Sequence, residues 1–528
     1  MIGYPFLSTQ PEKKSSLVGS TSTVSSATAL SRVFGLVREQ VMAYFFGASM
    51  ATDAFVAAFR IPNLLRDLFA EGALAAAFVP VFKNKAVTEG TDSAFRLAKI
   101  VLTMMLVTVG IIVILGVVAA PALVFLFANG FTEIPVKFDL TVSLTRIMFV
   151  YLLLVSVSAL FMGMLNSYGR FGIPALSPAM FNLGSILSVV FLYEYFEQPI
   201  YTLAIGVVVG GIGQLVLQLP SIYYIGFRYR PNFDFLAAGP KRVLKLFGPM
   251  VVGLSGSRVN ILISTLIASF LAQGALSYLN YAYRLMHFPL GVFAVALGTV
   301  ALPRVSEMVA RGQTDRLGRS FLEAMSLNLF IVIPAAWFLA VLGRPAVELI
   351  FGWGAFTNRD AANTALALLH YSYGLIGFAA VRVTVPFYYA FEDSRLPMRI
   401  SLITVAINLA LYYPMVQLLN FAGLAAATSI AGVANFLMLL AWLPSKGVEV
   451  PWRGLIFSAV KTIVAGGVAF LVTEWVPVSF GNIDSVFLDR LFKLLVPSAV
   501  ALAVYLGLCL ILRAEGMMVL YRGLKKRT

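Results

Sequence analysis

The sequence predicts an all-α, multi-pass membrane fold, and three observations predict it. Of the 528 residues, 60% are hydrophobic and 12% charged, against roughly half and a quarter in a soluble domain. Mean hydropathy is +0.89. The apolar residues also fall in long unbroken runs, such as "IVLTMMLVTVGIIVILGVVAA" at 100–120. A helix in lipid reads this way, because it alone satisfies its own backbone there. The polar intervals are too short for a large soluble catalytic domain.

Taken in order, residues 1–25 are polar and lack the apolar core and small-residue cleavage site of a signal peptide, so they read as a cytoplasmic tail. Six apolar cores follow near 26–46, 54–80, 100–120, 143–165, 175–195 and 201–224; they make a first lobe at 26–230. Six more, near 249–271, 277–302, 322–342, 363–390, 400–419 and 422–443, make a second lobe at 240–445. Two further cores, 456–474 and 491–512, form a pair within 455–513, and 514–528 is a basic cytoplasmic tail. The expected total is fourteen spans.

The net charge of +15 is an orientation signal rather than a nucleic-acid footprint. With the N-terminus inside, the cytoplasmic loops hold Lys83, Lys85, Arg96 and Lys99, then Arg228, Arg230, Lys241 and Arg242, then Arg304, Arg311, Arg316 and Arg319. The tail "YRGLKKRT" adds four more. The opposite loops hold Lys137, Arg359 and Arg344, and one of them, "YEYFEQP", is acidic. This register places both termini in the cytoplasm. The single Cys509 excludes an intramolecular disulfide, and His287 and His370 lie too far apart for a local metal pair. No Gly-rich phosphate loop, metal motif or nucleophile elbow is present. No catalytic residue, metal or cofactor is expected.

Two segments resemble each other. "SRVFGLVREQ…FRIPNLLRDLFAEGALAAAFVP" (31–80) and "SRVNILISTL…YRLMHFPLGVFAVALGTVALP" (257–303) each begin Ser-Arg, carry an aromatic-Arg pair, and close an apolar run with Pro. They fall at spans 1–2 and 7–8, which suggests two six-helix halves in parallel repeat. Charges gather there too: Arg32, Arg38, Glu39, Asp53, Arg60, Arg66, Asp67, Glu71, Arg146, Arg258, Arg284 and His287. A charge at the bilayer centre costs ~2.5–3.5 kcal/mol on insertion scales, so such groups normally face a wet cavity. Asp53, Arg60, Asp67 and Glu71 share one helical stripe; Arg66 falls off it unless Pro62 shifts the register. Arginines outnumber acids, and a guanidinium fork suits phosphate. An anionic, pyrophosphate-like substrate is the expectation. Arg382 reads as a cation snorkelling to the interface.

These same stretches carry a family resemblance. "SRVFGLVRE", "FGASMATDAFVAAFRIPNLLRDLFAEGALAAAFVPVF", "LNSYGRFGIPALSPAMFN", "YRLMHFPLGVFAVALGTVALPRVS" and "YGLIGFAAVRVTVPFYYAFEDSRLPMRIS" resemble the MurJ (MviN) lipid II flippases of the MOP exporter superfamily, over essentially all of the chain after its first 25 residues. The resemblance implies a transporter, not an enzyme, in the bacterial cytoplasmic (inner) membrane. It would pass undecaprenyl-pyrophosphate-linked peptidoglycan precursor, lipid II, from the inner to the outer leaflet by alternating access. It implies pyrophosphate binding by Arg32, Arg38, Arg66 and Arg284. It gives cavity or gating roles to Ser31, Glu39, Asp53 and Glu71, with Arg38 and Glu39 as a gate-like pair. It makes the last two spans a groove for the lipid tail. Tyr283 and His287 flank Arg284 where the family often has an acid, so His287 joins the cavity residues as a pH-responsive group. The implied partners are lipid II, membrane lipids and the cell-wall synthesis machinery, with the chain a monomer. Two alternatives stay open: a flippase for another polyprenyl-linked saccharide of the O-antigen type, and a non-transporting membrane scaffold.

Overall fold

In the computed structural model, residues 17–66, 73–291, 295–476 and 485–525 are described, and among them there is no strand. Nineteen α-helices follow one another: α1 (Leu17–Phe46), α2 (Met50–Arg66), α3 (Ala73–Thr88), α4 (Thr91–Val118), α5 (Ala120–Phe127), α6 (Pro135–Ser167), α7 (Gly172–Leu192), α8 (Tyr201–Tyr224), α9 (Ala238–Ser269) and α10 (Ala275–Pro289). Then come α11 (Val295–Ala310), α12 (Leu317–Val341), α13 (Gly343–Phe351), α14 (Asn358–Ala390), α15 (Arg395–Leu419), α16 (Ala422–Trp442), α17 (Trp452–Val472), α18 (Val486–Ile511) and α19 (Glu515–Lys525).

Ten of the described helices are long and apolar enough to cross a membrane: α4, α6, α7, α8, α12 and α14–α18. The chain is therefore a multi-pass membrane protein. The other four expected spans coincide with α1, with α2 and α3, with α9, and with α10 and α11. These stretches carry most of the charges expected at membrane depth. The cores expected as single runs at 54–80 and 277–302 are described as helices of 17 and 16 residues and of 15 and 16 residues, with 67–72 and 292–294 outside the described residues. These two stretches are also the ones that the sequence pairs as a repeat.

The chain packs as two compact units. One takes in residues up to Val41, Ala58–Val124 and Asp139–Leu254; the other takes in Met42–Ala57, Phe125–Phe138 and Ser255 onward. The core of the first is aromatic: Phe78, Phe82, Phe95, Phe161 and Phe227 are buried together with Leu160 and Met164. Its tightest helix pair is α7 on α8, where a Cβ at Gly184 would sit 2.5 Å from the Gly210 Cα. In lipid no hydrophobic force draws helices together, so close backbone approach through small residues is what holds them.

The second unit has one core around Phe321, Val383, Phe387, Tyr388 and Leu443. Another lies where α12 meets α17–α19, with the Phe330 and Tyr505 ring centres 5.5 Å apart and the Tyr505 hydroxyl donating to the Phe330 carbonyl at 2.7 Å. Cys509 is buried there as a small apolar filler. Small residues recur between α14 and α16: a Cβ at Gly377 would meet the backbone of Gly432 and Val433 at 2.7–2.8 Å. The N-terminus of α14 is closed by a capping box, Thr357 accepting from the Asp360 N–H while Asp360 accepts from the Thr357 N–H.

Candidate functional site

Asp53 stands in the first turn of α2 and is 1% exposed. Its two oxygens receive four donors. Oδ2 accepts from Lys137 Nζ at 3.1 Å and the Gly274 N–H at 2.8 Å; Oδ1 accepts from the Ser277 N–H at 3.0 Å and the Ser277 hydroxyl at 2.7 Å. Gly274 and Ser277 open α10, so a carboxylate from one helix caps the positive end of another. Gly274 is required where it stands. Its φ is +89°, and a Cβ would collide with the Tyr278 ring. Lys137 is 4% exposed, with its ammonium 4.0 Å from the centre of the Phe131 ring. The charge pair is thus fully buried and each partner holds further polar or π contacts.

The surrounding chain is tied to the same place. Gly47 follows the end of α1, and its carbonyl accepts from the Thr52 hydroxyl and the Tyr281 hydroxyl, both at 3.0 Å. The Tyr44 carbonyl accepts from the Ala355 N–H at 2.8 Å. The Tyr278 hydroxyl donates to Asp360 at 3.0 Å. All of these groups belong to the second unit, and together they latch the start of α2 to the start of α10.

In the first unit, Arg38 and Glu39 of α1 form an ion pair with the carboxylate 3% exposed. The Arg38 guanidinium also lies 5.2 Å from the Phe181 ring of α7. Glu39 holds Arg38 at a set position, and the ring screens that pair from water. The Ser31 carbonyl accepts from the Asn182 amide at 3.2 Å. Arg32 is exposed and lines a cleft of about 440 Å³ between α1, α6 and α7, whose other walls include Thr28, Met162, Asn166 and Pro174. Arg66, at the end of α2, is half-buried, as is Arg60.

In the second unit, Arg284 and Tyr283 are exposed on α10 and His287 is half-buried one turn on. The Tyr283 and His287 ring centres lie 3.9 Å apart with the planes tilted by 36°, and Tyr371 of α14 meets Tyr283 edge-on at 5.8 Å. Of the expected stripe, Asp53 is committed to the latch; Asp67 and Glu71 lie outside the described residues, as does the Arg258 side chain.

Sequence reasoning missed one residue. Lys137 reads as a loop charge that sets orientation; the structure buries it against Asp53. Its one signal is being a lone lysine among loops otherwise poor in cations. Arg382, expected to snorkel, is exposed on α14.

Three kinds of comparison bear on this arrangement. The family model described as "Lipid II flippase MurJ" matches residues 42–492. The "Lipid II flippase MurJ" of Burkholderia cenocepacia is 34% identical over 495 residues, covering 92% of this chain and 95% of that protein. The "Probable lipid II flippase MurJ" of Rhizobium meliloti is 32% identical over 524 residues, 97% of each chain. Among solved structures, "Lipid II flippase MurJ, inward closed conformation" matches with a TM-score of 0.77 at 25% identity, over 93% of this chain and 98% of that one. A multidrug-resistance MATE transporter of the MOP superfamily, in its inward-facing conformation, matches at 12% identity with a TM-score of 0.66, covering 80% of this chain and 97% of that one; this shows the shared fold alone.

Proposed function

The chain belongs to the lipid II flippase MurJ family, and from that premise we propose that it moves lipid II from the inner to the outer leaflet of the bacterial cytoplasmic membrane by alternating access. Arg32, Arg38, Arg66 and Arg284 bind the headgroup pyrophosphate in a wet cavity. Glu39 and Glu71 hold arginines in place when the site is empty, and α17 and α18 guide the lipid tail. The basic loops and both termini face the cytoplasm. The protein is a transporter and needs no catalytic residue or cofactor.

One observation carries this reading. Ten helices are apolar enough to cross a membrane, and most of the charge that the sequence puts at membrane depth falls instead on α1, α2 and α10. Charge at that depth is costly and is retained where it meets an anion or lines water. The latch on Asp53 supports the alternating-access part. On this reading it holds the start of α2 to the start of α10 as an outer gate would.

Complementation in cells depleted of their own flippase tests it, with Arg32, Arg38, Arg66 and Arg284 each changed to Ala. Membrane levels and outer-leaflet lipid II are both measured. Wild type restores exposure and well-expressed variants do not, if the cations carry transport. Variants as active as wild type would make the charges structural and end the mechanism. Failure of wild type itself would move the substrate to another lipid-linked saccharide.

A further inference from the structure

Arg490 stands in the second turn of α18 and is half-buried. A cation there lies near the positive end of its own helix, which disfavours it. What it meets at the end of α13 explains its place. Arg490 Nη1 donates to the Glu348 carbonyl at 3.0 Å and to the Gly352 carbonyl. The last carbonyls of a helix are short of donors and form its negative end, so the guanidinium closes α13 at its C-terminus. Trp353 completes the socket. Its Nε1 donates to the Leu349 carbonyl at 2.7 Å, and its ring centre lies 4.4 Å from the guanidinium carbon. Phe487, one turn earlier on α18, brings its ring centre to 6.3 Å from that of Trp353. A planar guanidinium both stacks and donates, which a lysine ammonium does less well.

The residues after α13 are packed on the latch. The Ala355 N–H donates to the Tyr44 carbonyl at 2.8 Å. Gly354 has φ +61°, and a Cβ there would fall 2.3 Å from the Tyr44 carbonyl oxygen. A Cβ at Gly47 would fall 2.5 Å from the Ala355 carbonyl oxygen. The Phe351 and Phe356 ring centres lie 5.0 and 5.5 Å from that of Tyr281, whose hydroxyl donates to the Gly47 carbonyl. Backbone therefore rests on backbone where residues 352–356 meet the turn between α1 and α2. All of these groups belong to the second unit.

We propose that Arg490 is a positioning residue for the gate. By closing α13 it sets residues 352–356 against Tyr44 and Gly47, and so ties α18 to the latch. This deepens the alternating-access reading and rests on it, because the latch is the outer gate only there. α18 is also one of the two helices given to the lipid tail above, so Arg490 joins a tail helix to the gate.

The test reads how often the latch opens. Ala48 is 7% exposed, and its carbonyl oxygen would lie 2.9 Å from a Cβ at Gly274. Ala48→Cys is introduced into the full chain in lipid nanodiscs and labelled with a charged maleimide. The buried native Cys509 is the internal reference, and mass spectrometry separates the two sites. Without lipid II, Arg490→Ala is expected to speed labelling at position 48 about tenfold and to leave Cys509 as slow as before. Arg490→Lys is expected to recover part of the difference. An unchanged rate at position 48 overturns the proposal. So does equal acceleration at both sites, which would mean that the arginine only stabilises the fold. Should Arg490→Ala not reach the membrane, Trp353→Leu removes the ring beneath the guanidinium and is held to the same outcomes. Lipid II added to the protein with Arg490 intact is expected to change the rate at position 48. No change there would end the gating reading and the role of Arg490 in it, whereas failure of Arg490→Ala alone would leave that reading standing.

Discussion

Asp53 and Lys137 are both buried, yet removing one is not equivalent to removing the other. Asp53→Ala takes the carboxylate away from the buried Lys137 ammonium and leaves two N–H groups at the start of α10 without the acceptor they have now. Lys137→Met leaves the carboxylate with three of its four donors. Stranding a buried charge costs about 3–5 kcal/mol, so Asp53→Ala is expected to lose that much stability and Lys137→Met clearly less. Thermal unfolding of the purified variants checks this, and equal losses would mean that the ion pair rather than the helix cap sets the energy. The sequence showed that Asp53 was a costly charge in the first turn of a helix. It did not show the partners, which stand 221 and 224 positions away. The Arg38–Glu39 pair was legible because its members are adjacent and resemble a known block.

Helices were legible where hydropathy alone decides them. The ten apolar spans each answer to a run visible in the sequence, because lipid demands that every buried backbone group be satisfied within the helix. What holds them side by side was less visible, since a glycine in an apolar run looks like any small residue. Gly210→Ala is expected to push α7 off α8, because the new Cβ would meet the Phe181 Cα and carbonyl at 2.7 Å and backbone cannot swing aside. A loss of roughly 1–3 kcal/mol is the expected scale. Gly90→Ala is a poor control because its φ is +89°; Gly248, where the added Cβ meets nothing within 4 Å, is the better one. A stable Gly210→Ala protein would deny that close approach holds this pair. At the other end of the element scale, the turn from α14 to α15 is held by Asp393. Its Oδ1 accepts from the Arg395 and Leu396 N–H groups, and Oδ2 pairs with Lys446 at 2.7 Å. The Lys446 ammonium first, and then those N–H groups, hold the carboxyl below its ordinary value of 3.8. A depressed folded value means that the stabilisation is complete above the unfolded value and is lost as pH falls through the folded one. Amide exchange at Leu396 is therefore expected to rise relative to the intrinsic rate below pH 3.8, and Asp393→Asn to show the faster exchange already at neutral pH.

For the whole molecule, alternating access requires that the latch part once in every cycle. Residues 42–57 pack within the second unit, where the latch holds them. The bond from the Ala355 N–H to the Tyr44 carbonyl at 2.8 Å brings two backbones close enough for a disulfide, and neither side chain belongs to the proposed anion site. The double variant Tyr44→Cys, Ala355→Cys is expected to expose lipid II normally when reduced and to stop when oxidised, with each single variant indifferent to oxidant. The chain's only native cysteine, Cys509, is buried and does not compete. The readout is outer-leaflet lipid II before and after reductant in the same cells. Export that continues with the bridge formed would mean that the outer end does not open at α1 and α2. Binding at the arginines could then survive as a finding, but the rocking mechanism could not, because a cavity closed permanently on one side binds its cargo without ever delivering it.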